Sequence, residues 1–216
     1  MKQRKPRYAL FDLDDTMYPK SIGLMDIVSR RINEYMALRL GMDEATINKL
    51  RPHYWKQYGT TMRGLLVEFQ IDPDDYLSYV HNFSVAGLLA PNEGLHEALT
   101  RLPWHKVIFT NASAQHAQEV LAVLGVREHF ERIFDIRDTG YVGKPDPSAY
   151  HCVLDSLGAG AGDCIALDDS IANLRTAREL SMITVLVGSV ERVDGVDFAI
   201  ARIEEVAEVA CDITRL

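Results

Sequence analysis

Four short apolar runs stand out along the chain, and none of them alternates polar with apolar residues. They cover residues 8–11, 107–109, 165–167 and 183–187. Continuous apolar runs of this length are typical of strands that are covered on both faces, as in a parallel sheet. The pattern therefore predicts four buried strands. A weaker strand at 198–201 and a short helix at 203–209 are predicted to follow them.

Helix signals separate these runs. Predicted helices cover residues 114–124, 147–157 and 171–180. Ser113 and Gly125 flank the first of them, and Asp169 or Ser170 can cap the last, which are ordinary start and stop residues. Strands that alternate with single helices indicate βαβ units. The predicted fold class is therefore α/β, with a Rossmann-like, doubly wound parallel sheet.

One region departs from this alternation, because residues 17–90 contain no convincing strand. Apolar residues recur there at helical spacing, at Val28, Ile32, Tyr35, Met36 and Leu40. Two more helices are predicted at 43–57, interrupted at Pro52, and at 73–83. We interpret residues 17–90 as an inserted all-helical cap domain with hinges at 17–22 and 87–92. Residues 1–16 and 91–216 would then form the core.

Charge and composition exclude some classes of partner. The 216 residues include 23 Lys and Arg against 31 Asp and Glu, which gives a formal net charge of −8. This acidic balance argues against binding to a nucleic-acid polymer or an anionic membrane, both of which need basic fields. Four basic residues stand among the first seven, Lys2, Arg4, Lys5 and Arg7, and we expect them to be a solvated start to the chain.

The sequence also favours a soluble protein of the cytoplasm. The apolar run that follows the basic residues, at 8–11, is too short for a signal peptide or a membrane helix. The cysteines, Cys152, Cys164 and Cys211, are odd in number and form no C-x-x-C pair, so we expect reduced thiols. The seven histidines are scattered, and we expect most of them at the surface.

Polar side chains follow the predicted strands at the point where each strand ends. They are Asp12, Asp14, Asp15, Thr16, Thr110, Asn111, Asp168 and Asp169, with Lys144 in a further polar cluster before a helix. Ligands of open parallel sheets bind at the carboxyl ends of the strands, so these groups are expected to meet in one crevice. Clustered carboxylates repel one another, so they need a cation between them or have raised pKa values, and oxygen ligands suit Mg²⁺. A carboxylate can also attack phosphorus, with hydroxyl and ammonium groups stabilising the charge.

At these residues the sequence resembles the haloacid dehalogenase superfamily of phosphatases. Residues 11–16 are similar to its first motif, 109–111 to the second, 144–147 to the third, and 168–170 with Asn173 to the fourth. The motifs occur in the family's order over essentially the whole chain. The resemblance implies the same Rossmann-like core with a helical cap inserted after the first motif.

The resemblance also implies roles for individual residues. Asp12 would be the nucleophile, and Asp14 would protonate the leaving oxygen and then activate water. Thr110, Asn111 and Lys144 would bind the transferring phosphate. Dehalogenases of the superfamily lack an acid at the position of Asp14, so this residue favours phosphoryl transfer. We expect Asp15 and Thr16 to serve the turn, and Asn173 to support the site.

The implied cofactor is Mg²⁺. Its ligands would be Asp12, the backbone carbonyl of Asp14, Asp168, and Asp169 directly or through water. The reaction implied is hydrolysis of a phosphomonoester through an aspartyl-phosphate.

Within the superfamily, the sequence is similar to pyrimidine 5′-nucleotidases at residues 11–19 and at cap residues 58–65. We interpret 58–65 as a loop lowered onto the leaving group, with Tyr58 and Arg63 as specificity residues. A partly buried tyrosine and a solvated arginine are the alternative. The expected partner is a small phosphorylated metabolite, a nucleoside monophosphate, bound by a monomer or homodimer.

Other functions remain open at this point. Related caps serve small sugar-phosphate or phosphoglycolate phosphatases and hexose-phosphate mutases. A non-catalytic binding protein on the same fold is a further alternative, which the intact set of motif residues disfavours.

Overall fold

The computed structural model describes residues 6–191 and 193–214. Lys2, Arg4 and Lys5, which we expect to be solvated, lie outside the described residues, whereas Arg7 is exposed. Within the described residues, six strands form one parallel sheet in the order β3-β2-β1-β4-β5-β6. They are β1 (Tyr8–Phe11), β2 (His105–Phe109), β3 (Arg132–Phe134), β4 (Cys164–Asp168), β5 (Ile183–Val187) and β6 (Phe198–Ile200). The predicted α/β fold with a parallel sheet is confirmed.

The helices surround and extend this sheet. They are α1 (Leu24–Leu40), α2 (Glu44–Tyr58), α3 (Thr61–Phe69), α4 (Pro73–Val80), α5 (Glu93–Arg101), α6 (Ala114–Leu124), α7 (Pro147–Leu157), α8 (Ile171–Glu179) and α9 (Val206–Ile213). Short 3₁₀ turns cover Lys20–Ile22, Arg127–His129, Ala161–Asp163 and Ile203–Glu205. The predicted helix at 203–209 is therefore a 3₁₀ turn that leads into α9.

Both faces of the central strands are buried, which explains why the apolar runs do not alternate. Ala9 and Phe11 of β1 belong to an apolar cluster with α5, α6 and α9. Leu10 lies on the opposite face, in a cluster with α7 and α8. Because a strand turns successive side chains to opposite faces, a strand covered on both sides needs apolar residues at every position.

Helices α1 to α4 share an apolar cluster of their own. Its buried members include Tyr35, Met36, Ile47, Tyr54, Leu65 and Leu77, together with Ile136 from the segment after β3. The predicted interruption of α2 at Pro52 is wrong, since α2 runs continuously through this exposed residue. Ile47 and Tyr54, on either side of Pro52, are both buried, and their packing holds the helix together across the proline.

The prediction of a loop at residues 58–65 is also wrong, because α3 begins within this segment. The Thr60 hydroxyl accepts a hydrogen bond from the Arg63 backbone N–H at 3.1 Å, which starts the helix. A Cβ atom on Gly64 would lie 2.3 Å from Cγ of Tyr54. This glycine therefore allows α2 and α3 to pack closely, rather than giving freedom to a loop.

The remaining element bounds follow the predictions closely. Helices α6 and α7 and strand β5 have the predicted ends, and α4 stops before the predicted residue 83. Strand β3 and helix α5 are not predicted by the apolar pattern. Within residues 6–191 and 193–214, none of the helices combines the length and the apolar content that a membrane span needs.

Candidate active site

The carboxyl ends of β1 and β4 bring two acids and a lysine together. Asp12 follows β1, and its backbone N–H donates to the Leu167 carbonyl at 2.9 Å. Asp168 is the last residue of β4. Nζ of Lys144, from the loop before α7, donates to Oδ1 of Asp12 at 2.8 Å and to Oδ2 of Asp168 at 2.7 Å. Lys144 is only 3% exposed, so its charge is committed to this site.

The turn after β1 returns Thr16 to the same acids. Asp15 makes this possible by adopting a positive φ of 59°. The Thr16 hydroxyl donates to Oδ2 of Asp12 at 3.1 Å and accepts from the Asp169 backbone N–H at 3.0 Å. Thr16 thus links the nucleophile candidate to the end of β4. The sequence signalled the turn here but not this side-chain contact.

Helix α8 supports Asp168 from behind. The Asn173 amide donates to both carboxylate oxygens of Asp168, at 2.9 and 3.0 Å. Ser170 adds its backbone N–H to Oδ1 of Asp168 at 2.9 Å, while its own hydroxyl caps α8. Asn173 therefore lies where the sequence places a supporting residue, and Ser170 rather than Asp169 is the cap.

Thr110 and Asn111 follow β2 at the same edge of the sheet. Thr110 is buried, and its hydroxyl accepts from the Ala112 backbone N–H at 3.0 Å. The Asn111 amide pairs with the backbone of Lys144, accepting from its N–H at 2.8 Å and donating to its carbonyl at 2.9 Å. Asn111 therefore fixes the loop that carries Lys144. Phosphate binding by Thr110 and Asn111 stays a prediction.

The side chain of Asp14, two residues after Asp12, contacts a different set of polar groups. Its Oδ1 atom accepts from the Tyr18 hydroxyl at 2.5 Å and lies 2.9 Å from Nε2 of His116. Burial pushes the pKa of Asp14 upward, but the contacts with His116 and Tyr18 outweigh it and lower this pKa below its usual value. His116 is buried and is the exception to the expectation that most histidines lie at the surface.

Crowding and burial shift the other titratable groups. Burial raises the pKa of Asp12 to about 8, with Asp168 and Asp169 adding to the rise and Lys144 opposing it. Burial and Asp168 raise the pKa of Asp169 to about 6. Burial alone would lower the pKa of Lys144, but Asp12 and Asp168 raise it. The site therefore holds more negative charge than a single lysine offsets.

These acids fit a divalent cation. Asp12, Asp168 and Asp169 each offer a carboxylate oxygen, and the three oxygens lie within 4.8 Å of one another. Burial raises the pKa values of Asp12 and Asp169, and the neighbouring acids add to both shifts, so a divalent cation among them would favour the ionised carboxylates. Oxygen-only ligands of this kind suit Mg²⁺.

The predicted specificity residues are Tyr58, the last residue of α2, and Arg63, in the first turn of α3. Tyr58 and Arg63 line a cleft of about 370 Å³ with Trp55, Pro145 and Ser148 among its other residues. A Cβ atom added to Gly59 would lie 3.6 Å from the carbonyl oxygen of Lys144, so the end of α2 lies close to the loop that carries this lysine. The roles of Tyr58 and Arg63 stay predictions, and the structure adds that both line one cleft together with residues of this loop.

Comparison with known proteins agrees with this geometry. A family profile described as haloacid dehalogenase-like hydrolase matches residues 6–180. Phosphate metabolism protein 8 of Saccharomyces cerevisiae is 26% identical over an alignment of 189 positions that covers 80% of this chain and 58% of that protein. Protein CbbY, plasmid, of Cupriavidus necator is 43% identical over 60 residues, which are 28% of this chain and 23% of that protein.

The chain thus spans less than two thirds of the length of these curated relatives. Among solved structures, an L-2-haloacid dehalogenase from Xanthobacter autotrophicus aligns with a TM-score of 0.62 and 13% identity, over 95% of this chain and 98% of that one. A HAD phosphatase from Thermococcus onnurineus aligns with a TM-score of 0.62 and 15% identity, over 94% and 97%. At these identities the structural likeness shows a shared fold and nothing about the activity.

Proposed function

We propose that this chain, which belongs to the haloacid dehalogenase-like hydrolase family, is a Mg²⁺-dependent phosphomonoester hydrolase that forms an aspartyl-phosphate on Asp12. The observation that carries the proposal is the position of Lys144, whose Nζ lies between Asp12 and Asp168 at 2.8 and 2.7 Å. A buried ammonium beside a carboxylate at a strand end suits the transfer of an anionic group.

The proposed reaction has two steps. A carboxylate oxygen of Asp12 attacks the phosphorus, and the bond from phosphorus to the ester oxygen breaks while Asp14 gives that oxygen a proton. Asp14 then takes a proton from the water that attacks the phosphoaspartate, which releases phosphate and restores Asp12. Lys144 and Thr110 would stabilise the charge on the phosphoryl oxygens.

Mg²⁺ would be held by Asp12, the backbone carbonyl of Asp14, Asp168 and Asp169. When bound, it would supply positive charge that offsets both the acids and the phosphate oxygens. The carboxylate of Asp14 favours phosphoryl transfer over dehalogenation, since an alkoxide leaving group needs a proton. The name of the yeast relative, Phosphate metabolism protein 8, is consistent with this choice.

The proposed substrate is a pyrimidine nucleoside 5′-monophosphate. The likeness of residues 11–19 to pyrimidine 5′-nucleotidases supports it, as does the cleft of about 370 Å³ beside the Lys144 loop. Trp55, Tyr58 and Arg63 on its wall offer aromatic faces and a positive charge, which suit a flat heterocycle. We propose residues 17–90 as the cap that carries this wall, and the cytoplasm as the compartment, where the free thiols would stay reduced.

The test compares kcat/KM for UMP, CMP, AMP, phosphoglycolate and sugar phosphates, each with Mg²⁺ and with a chelator. We expect hydrolysis that requires the metal and is fastest on pyrimidine nucleotides. Asp12→Asn, which keeps the shape of the side chain, should show no turnover on any ester. A preference for sugar phosphates would replace the nucleotide assignment, and turnover by Asp12→Asn would exclude the aspartyl-phosphate.

A further inference from the structure

His116 makes an unusual contact for a buried histidine. It lies in the first turn of α6, it is 1% exposed, and its Nε2 atom is 2.9 Å from Oδ1 of Asp14. Its other ring nitrogen, Nδ1, is buried without a hydrogen-bond partner among the described residues. A buried polar atom without a partner costs stability, so an apolar side chain would serve packing alone better than this ring.

The orientation of the ring is fixed by a neighbour from the helical region. His81, which follows α4, stacks on His116 with ring centroids 4.5 Å apart and an interplanar angle of 17°. Nδ1 of His81 lies 3.1 Å from the Ser113 hydroxyl, which holds the stacking ring in turn. Burial and the neighbouring His116 lower the pKa of His81 to about 3, so the stacking ring is neutral. The position of His116 is therefore set by both the core and the helical region.

Tyr18 completes the arrangement from the other side. Its hydroxyl donates to the same oxygen, Oδ1 of Asp14, at 2.5 Å. In the part of the chain that the structure describes, the hydrogen bonds to this carboxylate both reach Oδ1. A carboxylate oxygen accepts hydrogen bonds, so Nε2 of His116 carries the hydrogen in this contact. Among residues 6–191 and 193–214, no donor contacts Oδ2 of Asp14.

We propose that His116 is a positioning residue for Asp14, which together with Tyr18 fixes one carboxylate oxygen and leaves the other, Oδ2, to exchange protons with the substrate. The inference rests on the proposed function, because it takes Asp14 to be the general acid and base. With Oδ1 occupied by two donors, the proton of the acid form resides on Oδ2.

The proton balance follows from this geometry. The bond from Oδ2 to hydrogen breaks as the ester oxygen leaves phosphorus and takes the proton. In the second step the same Oδ2 takes a proton from the attacking water. His116 and Tyr18 keep their own protons throughout, so their effect is to hold the carboxylate where Oδ2 faces the leaving oxygen.

A comparison of two phosphate esters with different leaving groups distinguishes this role from a merely structural one. An alkyl ester needs a proton on its leaving oxygen, whereas 2,4-dinitrophenolate leaves without one. We would measure the rate of a single phosphorylation step for wild type and variants, using the best alkyl phosphate of the panel above and 2,4-dinitrophenyl phosphate. His116→Leu removes the N–H donor and fills the buried space with an apolar side chain. His116→Gln returns an N–H donor to nearly the same place.

We expect His116→Leu to slow the alkyl ester by about 10²-fold or more, the range of a lost general acid. Release of dinitrophenolate in the first turnover should stay close to wild type. Later turnovers should be slow, because hydrolysis of the phosphoaspartate also needs Asp14. His116→Gln should recover most of the alkyl rate. Exposed His53 provides the control, and His53→Leu should leave both substrates unaffected.

An equal loss on both esters, or no loss on either, would overturn the inference. Tyr18→Phe gives the same comparison in a protein that keeps His116, and it decides the question if His116→Leu does not fold. Failure of the proposed function is distinguishable, because wild type itself would then hydrolyse neither ester with Mg²⁺. If the inference alone fails, wild type still hydrolyses both esters, and the variants lose the same factor in rate on each of them.

Discussion

Nζ of Lys144 lies 2.8 Å from Oδ1 of Asp12, although 132 residues separate the two in the chain. Replacing the lysine with methionine keeps the length and packing of the side chain and removes the charge. We expect Lys144→Met to lower kcat/KM by about 10²–10³-fold, since one charge-stabilising partner is worth roughly 3–4 kcal/mol in the barrier. The measurement is steady-state hydrolysis at saturating Mg²⁺.

Lys106 supplies the matched control for that experiment. Its ammonium donates to the backbone carbonyls of Leu102 and Trp104, away from the acids. Lys106→Met should keep wild-type turnover. Unchanged kcat/KM in Lys144→Met would show that the contact with Asp12 has no part in the reaction.

The pH dependence of stability follows from Asp12. Burial raises its pKa from 3.8 to about 8 in the folded protein. Between these values the unfolded chain has lost the proton that the folded chain retains. The free energy of unfolding therefore falls as the pH rises, by up to about 1.4 kcal/mol per pH unit for one such group, and levels off above the folded pKa.

Urea unfolding in a chelator, from about pH 5 to about pH 8, checks this slope. Asp12→Asn removes this titrating group and should therefore remove its share of the decline. Saturating Mg²⁺ should reduce the decline too, because a cation that binds the ionised acids stabilises the folded form at higher pH. Because Asp169 and His81 also titrate differently in the folded and unfolded chain over this interval, the compared quantity is the free energy of unfolding of wild type minus that of Asp12→Asn, and a difference that does not fall with pH would contradict the prediction.

The position of Asn173 behind Asp168 predicts an effect on metal affinity. Its amide donates to both oxygens of that carboxylate. Removing such a supporting contact commonly costs about 10–100-fold in metal affinity. We expect Asn173→Ala to raise the Mg²⁺ concentration for half-maximal activity by this factor, while excess Mg²⁺ restores most of kcat.

Activity measured across a Mg²⁺ titration tests this, with Arg175→Ala, an exposed change on the same helix, as control. A loss in kcat that no concentration of Mg²⁺ repairs would assign Asn173 to another role.

Gly64 predicts a stability effect that is independent of the chemistry. A Cβ atom there would lie 2.3 Å from Cγ of Tyr54, a buried side chain of α2. We expect Gly64→Ala to reduce the free energy of unfolding by about 1–3 kcal/mol, the usual cost of overpacking. Gly87→Ala, where a Cβ meets nothing within 4 Å, should be nearly neutral in the same urea titration. Equal stabilities for the two variants would contradict the close approach of α2 and α3.

The apolar pattern predicts the sheet well because its central strands are buried on both faces. The ends of β1 and β4 then place Asp12 and Asp168 in one crevice, since parallel strands point the same way, and the loop before α7 brings Lys144 to them. The pattern does not predict β3, whose three residues stand at the edge of the sheet and begin with the exposed Arg132. A short edge strand leaves too little apolar signal.

The cap and the surroundings of Asp14 are harder to predict from the sequence. In the sequence, Gly59 and Gly64 indicate a loop. Only the position of Tyr54 in the structure shows that Gly64 permits close packing of two helices. His116 lies 102 residues from Asp14, and no local spacing connects them. Such contacts depend on tertiary packing, and a single sequence carries no record of it.

The strand order also has a consequence for the synthesis of the chain. Strand β1 lies at the centre of the sheet, yet its partners β2 and β4 begin at His105 and Cys164. Asp12 therefore leaves the ribosome long before the residues that surround it, and a nascent chain that lacks β4 holds the nucleophile candidate without Asp168. Any activity of this site must appear late in translation, so a prematurely terminated product that lacks β4 would be inert.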